Sequence, residues 1–244
     1  MTRSRLPLLC LALVFSACGT KAPVATVPPP APPTLLSFKT YMQRGMPEQD
    51  VFVEQRRGGP LMRAQNDRSP EAMSFMLERS AWTAAAAVPR DPVKTGTDAL
   101  NGIGKGRSLR IRMDDWLSAV GTGRYEVSGQ TGRITAQFTR LVEDGQYSLW
   151  CGWIARGAKK SLAINPCGKA DGSDSTFRAD YDGRGEIDVA GRALLQSNAS
   201  GSAIIMLVYH SDNTTHGAVP GEFGKNAHTQ LTVELLRPGA VRDF

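Results

Sequence analysis

All three histidines of the chain, His210, His216 and His228, fall within nineteen residues, beginning where one apolar run ends and stopping just before the next. Imidazoles converging from a loop and two strand ends have the chemistry to bind Zn²⁺ or Cu²⁺, with Asp212, Glu222 or Met206 as a further ligand. The spacing matches no established zinc signature, so a second reading stands beside the first: His210 caps a core strand, and His216 and His228 are solvated loop residues. Neither familiar type of metal-binding sandwich fits. A copper-zinc superoxide dismutase site needs more histidines than this chain owns. A blue-copper site needs a thiolate shortly before its C-terminal His, whereas every cysteine here precedes every histidine.

A second group of ligand types lies in Asp171-Gly172-Ser173-Asp174, with Asp180 and Asp182 nearby. Ca²⁺ accepts six to eight oxygens in flexible geometry, which such a loop could supply, although the twelve-residue EF-hand pattern is absent. Asp and Gly are also what tight turns require. The ions these residue types would take are therefore zinc, copper or calcium, and the sequence commits to none. Catalytic signatures are missing: no G-x-S-x-G, S-x-x-K, H-E-x-x-H or P-loop occurs, and Ser211 beside His210 is adjacency along a strand. No pair of carboxylates is singled out for glycoside hydrolysis. Trp150 and Trp153 flank Cys151, and either could line a ligand surface or pack in a core.

Of the four cysteines, Cys10 lies in an apolar leader and Cys18 follows it, leaving Cys151 and Cys167 in the body. Two is the number one bridge needs, and in an oxidising compartment a loop of this length closed by a disulfide stabilises a fold by about 3 kcal/mol. A thiolate metal or redox pair would call for C-x-x-C spacing or a nearby His.

These residues must be positioned by elements whose pattern changes along the chain. From Ser108 onward, short runs rich in β-branched and aromatic residues alternate with turn signals. The expected strands are 108–112, 124–128, 133–141, 147–156, 176–181, 185–189, 203–209 and 229–236. Ile134, Ala136 and Phe138 alternate with polar neighbours, as in a half-buried strand, while 203–208 is apolar throughout, as in a central strand covered on both faces. Met113 to Leu117 reads as one helical turn. Together these predict a mainly β chain, an antiparallel β-sandwich of Ig-like or similar type over residues 101–244, with a barrel as the alternative. Residues 38–100 read as a small, partly helical N-terminal segment: Ser69-Pro70-Glu71 has the form of a helix start, and Met73, Met76, Leu77 and Ser80 would share the inward face of a helix reaching Ala86. Residues 91–106 read as a loop.

The chain of 244 residues carries 29 Lys+Arg against 23 Asp+Glu, a formal charge of +6 that becomes +4 once Arg3 and Arg5 are removed with the leader. The positives are scattered, with no basic stripe, so nucleic acid is not an expected partner. Weak attraction to cell-wall polymers or anionic lipid is compatible with this charge.

Arg3 and Arg5 precede an apolar stretch from Leu6 to Phe15, too short to span a bilayer and ended by small residues. The run Val14-Phe15-Ser16-Ala17-Cys18 resembles the lipobox of bacterial lipoproteins, with Phe15 where Leu is usual. The resemblance implies that 1–17 is a signal peptide and that Cys18 becomes the lipidated first residue. With Gly19 rather than Asp next, it implies sorting to the outer membrane in a cell that has one. Residues 18–37 then form a tether, since Pro23, Pro28, Pro29, Pro30, Pro32 and Pro33 favour an extended conformation reaching on the order of 45 Å.

A second resemblance covers residues 107–237. It is carried by Arg107-Ser108-Leu109-Arg110-Ile111, Trp116-Leu117, Gly123-Arg124-Tyr125, Asp144 to Cys151, Pro166-Cys167-Gly168, Asp171-Gly172-Ser173, Phe177 to Asp180, Tyr209 to Asp212 and Pro220 to Gly224. Together these are similar to a group of exported bacterial β-sandwich proteins, which implies fold and export and supplies no activity. The expectation is a lipid-anchored cell-envelope protein, a non-catalytic binding or structural module whose partners are the membrane, envelope proteins or cell-wall polymers. Its binding loop would be 213–226. The alternative is a zinc or copper protein or metalloenzyme centred on His210, His216 and His228.

Overall fold

The computed structural model describes residues 32–44, 48, 50–54, 61–63, 75–79, 105–155 and 162–236. The expected signal peptide (1–17), Cys18 and nearly all of the expected tether lie outside the described residues.

The alternating pattern at 131–139 becomes strand β7 (Thr131–Thr139), with Ile134, Ala136 and Phe138 buried and Arg133 and Gln137 exposed. It pairs with β6 (Val120–Ser128) on one side and β11 (Gly185–Arg192) on the other, and β6 pairs outward with β1 (Thr34–Phe38). This is the first sheet, antiparallel in the order β1-β6-β7-β11.

The continuous apolar run becomes β12 (Gly201–His210), the centre of the second sheet. It lies between β8 (Gln146–Ala155) and β13 (Ala227–Glu234), and the far edge of β8 carries β10 (Thr176–Arg178) and β9 (Leu162–Pro166). Ala203, Ile205, Leu207 and Tyr209 point into the main core, together with Tyr125, Ile134, Phe138, Ile187 and Val189 from the first sheet. The intervening Ile204, Met206 and Val208 form a smaller cluster with Trp150 and Ala227 on the opposite face, packed by Ile164 and Phe223. An unbroken apolar sequence is therefore what a strand covered on both faces demands. Two antiparallel sheets enclosing one core, not closed into a barrel, make the expected sandwich.

The N-terminal part differs from expectation. Phe75–Arg79 is a strand, β4, where the helix was expected, and the remainder of 69–86 lies outside the described residues. β4 joins β2 (Phe52–Glu54), β3 (Leu61–Arg63) and β5 (Lys105–Arg112) in a third antiparallel sheet ordered β3-β2-β4-β5. Val51, Val53 and Met76 belong to the same core as the sandwich. Long-range pairing and burial override the local helix preference of this segment. The boundary at residue 100 thus cuts through a sheet, since β5 follows it and β2 to β4 precede it. Likewise the tether ends earlier than residue 37, because Thr34–Phe38 is already β1 and buries Leu36 and Phe38. Among the described residues, the helical content of 32–100 is a single 3-10 turn at Met42–Arg44. Helix α1 (Met113–Leu117) forms as expected and buries Met113 and Trp116.

Candidate metal centre

On the outer face of the second sheet, Ser148 and Trp150 of β8 stand beside the end of β12, where His210 is the last residue. His210 is 0% exposed, with its Nε2 2.6 Å from Ser148 Oγ; the same oxygen accepts a hydrogen bond from Trp150 Nε1 at 2.7 Å. The other ring nitrogen, Nδ1, is buried and has no hydrogen-bond partner. Burial pushes the imidazole pKa down to about 4, with His216 and His228 adding repulsion and Asp212 opposing it. His210 is therefore neutral at neutral pH, as a metal-ligating imidazole must be.

The chain turns sharply after β12. Asn213 N donates to His210 O at 3.1 Å, and Asn213 takes φ 56°, a left-handed conformation that Asn tolerates well. The turn leaves Asp212 facing back. Its Oδ2 lies 3.1 Å from His216 Nε2 and accepts a hydrogen bond from Asn226 Nδ2 at 2.9 Å, while that amide nitrogen is 3.3 Å from His216 Nε2. Asn226 Oδ1 accepts from Glu222 N at 2.7 Å, so one side chain ties both ends of the loop to the pair. Gly221, at φ 86°, lets its backbone pass beside the His216 ring: a Cβ there would sit 3.0 Å from Cδ2 and 2.9 Å from Asn226 Oδ1.

One ring nitrogen from each of His210 and His216 and one Asp212 oxygen lie within 4.8 Å of one another, and the two ring centroids are 5.6 Å apart. The structure thus brings together two of the three expected histidines and adds Asp212, which the sequence had offered as a further ligand. His228 is not among them. It pairs across the sheet with Tyr209, and cross-strand partners share a face. Tyr209 faces the main core, so His228 is on the opposite side of the sheet from His210. There His228 Nδ1 is 3.0 Å from Asp50 O and Nε2 is 3.3 Å from Ser211 Oγ. Of the other offered ligands, Glu222 pairs with Lys225 at 3.0 Å and Met206 is buried in the outer apolar cluster.

The four aspartates of the expected calcium loop hold local structure. Asp171 Oδ1 accepts from Ser173 N, Asp174 Oδ1 from Lys169 N, and Asp180 Oδ1 from both Asp182 N and Arg184 N. Asp182 faces Arg184 at 3.5 Å. Among the described residues these carboxylates do not gather into a ligand cluster. Asp171, Asp174 and Asp180 act as turn-forming acids that accept backbone N–H groups of their own loops, and Asp182 pairs with an arginine side chain.

Cys151 and Cys167 form a disulfide with Cα atoms 4.9 Å apart, joining β8 to the segment after β9. Trp150 is buried, and Trp153 packs partly against the main core. Sequence reasoning missed Ser148 and Asn226. Ser148 is 62 residues from His210, and only the register between β8 and β12 sets it there. No family model matches the chain, and neither a curated protein nor a solved structure matches it.

Proposed function

We propose that the chain is an exported lipoprotein whose β-sandwich serves as a non-catalytic binding module at the cell envelope, held to the membrane by acyl chains on Cys18. The observation that carries this reading is the order of segments at the N-terminus. Two arginines, a short apolar stretch and the lipobox-like run ending at Cys18 are followed at once by a proline-rich spacer. Each buried acyl CH₂ contributes about 0.8 kcal/mol, so several chains make attachment practically irreversible. The body begins soon after, at β1, so the spacer holds the folded part clear of the headgroups while keeping it near the membrane. A rigid sandwich that carries a long loop after β12 suits binding, because a stable scaffold can present loops without paying for their order each time.

The test is fractionation and acyl labelling of the full chain in its own cell. The parent protein should incorporate labelled fatty acid and remain with the membrane through high-salt washing, whereas Cys18→Ala should lose both properties. A Cys18→Ala protein as membrane-bound as the parent overturns the reading. Cross-linking of the parent in intact cells then identifies the envelope protein or wall polymer bound.

A further inference from the structure

We infer that His210, Asp212 and His216 form a site for one borderline divalent transition-metal ion, zinc or copper, on the outer face of the second sheet. The inference concerns the folded body alone and stands whether or not Cys18 carries lipid. Two imidazoles and one carboxylate are the donor types such ions take, whereas calcium and magnesium prefer all-oxygen sets.

Three observations converge on it. The first is the spacing. Donors held about 2.0 to 2.2 Å from a tetrahedral zinc ion stand about 3.3 Å apart. Asp212 Oδ2 and His216 Nε2 are already 3.1 Å apart, and one nitrogen of His210 lies within 4.8 Å of an Asp212 oxygen and a His216 nitrogen, so a small closure of the 211–226 loop completes the set.

The second is the orphaned nitrogen. His210 is buried, its Nε2 is engaged by Ser148 Oγ, and its Nδ1 has no partner. With the proton on Nε2, that N–H donates to Ser148 Oγ and Nδ1 is left with a lone pair free to bind an ion. With the proton on Nδ1, a buried donor would have nothing to receive it. The first arrangement is the one found around metal-ligating histidines, where the second ring nitrogen donates to a fixed oxygen and thereby sets tautomer and ring orientation. Trp150 Nε1 fixes that oxygen in turn.

The third is support from outside the ligands. Asn226 Nδ2 holds Asp212 Oδ2, and Gly221 supplies a backbone approach to the His216 ring that any side chain would obstruct. The side chains of His216 and Asp212 are 23% and 34% exposed, so the three protein ligands close one side of the site and leave the solvent side for water or a ligand of the bound partner. To ligate through Nε2, His216 presents that nitrogen's lone pair to the metal with the ring proton on Nδ1, and no covalent bond of the protein is made or broken.

The test uses the full untagged chain in detergent, freed of metal and titrated separately with Zn²⁺, Cu²⁺ and Co²⁺ by calorimetry, with visible absorption for cobalt. The expected result is one equivalent bound, with cobalt bands of low-coordinate intensity and a rise in the unfolding temperature on loading. Removal of an outer-shell partner commonly weakens a site 10- to 100-fold, so His216→Ala and Asp212→Ala should each weaken it by more than about 100-fold. Both side chains are partly exposed, so these variants should unfold at the parent's temperature without metal, which separates loss of ligand from loss of fold. His228→Ala, on the other face of the sheet, should keep the cobalt spectrum. Failure of the parent to take up any of the three ions overturns the inference, as does binding undiminished in His216→Ala.

Discussion

The backbones of Lys39 and Thr232 exchange two hydrogen bonds, Lys39 N to Thr232 O at 3.0 Å and Thr232 N to Lys39 O at 2.8 Å. Lys39 directly follows β1, an edge strand of the first sheet, and Thr232 lies in β13, an edge strand of the second. The start of the described chain therefore closes one side of the sandwich against its last strand.

Phe38 tests the seam. Its side chain is 2% exposed and meets Phe138 edge to face, with ring centroids 5.1 Å apart. Phe38→Ala removes a large buried aromatic and leaves a cavity between the sheets, at a cost of about 3 to 5 kcal/mol. Urea unfolding followed by tryptophan fluorescence should show the midpoint shifted with little change in slope. An unchanged midpoint would mean that β1 is not part of the folding unit.

The disulfide can be weighed in the same way. It closes a loop of 16 residues between Cys151 and Cys167, for which chain entropy alone predicts about 3 kcal/mol. Under non-reducing conditions both thiols should resist alkylation, and Cys151→Ala/Cys167→Ala should unfold at lower urea by that amount. Free labelling of both cysteines in the folded protein contradicts the bond.

Glu48 predicts an unusual pH dependence. It is fully buried, its Oε1 accepts from Met42 N at 3.1 Å, and burial pushes its pKa up to about 8, with the negative charge of Asp50 adding to the rise. Tyr41, raised by its own burial, and Arg44, which faces Glu234, are further titratable groups of this corner. Between the ordinary carboxylate pKa and about 8, the folded state holds a proton that the unfolded chain has lost. Stability contributed by this group is therefore full at low pH and falls as pH rises, by about 1.4 kcal/mol per unit at the steepest. Glu48→Gln keeps shape and removes the charge, so the fall between pH 6.5 and 8 should flatten in the variant. Parallel curves for parent and variant across that window would refute the assignment.

Gly221 probes the candidate metal centre without replacing a ligand. Its φ of 86° is strained for any residue with a Cβ, and that carbon would press on His216 and Asn226. Gly221→Ala should displace the His216 ring and weaken Zn²⁺ binding by about 10- to 100-fold, with the stoichiometry unchanged. Calorimetric titration measures this directly, and parent-like affinity would show that the loop does not position His216.

Much of the architecture was legible because strand periodicity is a local property. The alternation at Ile134, Ala136 and Phe138, the unbroken run at Ala203 to Val208 and the turn signals between them each depend on residues within a few positions. Cys151 and Cys167 were legible as a pair because they are the two cysteines left after Cys10 and Cys18 of the N-terminal stretch, and two thiols can make one bridge. Tertiary structure decided the rest. Ser69-Pro70-Glu71 and the methionines after it read as a helix, yet Phe75–Arg79 became a strand once β2 and β5 offered edges to pair with. Thr34–Phe38 joined a sheet through β6, 90 or so positions away, which no local pattern announces. The candidate site turned on which face of a strand each histidine occupies. His210 and His228 flank the loop that carries His216, one before it and one after it. The pairing of His228 with Tyr209 sends it to the core side, and the turn at Asn213 swings Asp212 into its place. Residue types and their nearness along the chain determined which ions could be bound. The register between β8, β12 and β13 decided which donors meet, because a side chain's face is set by pairing across the sheet and a shift of one residue reverses it.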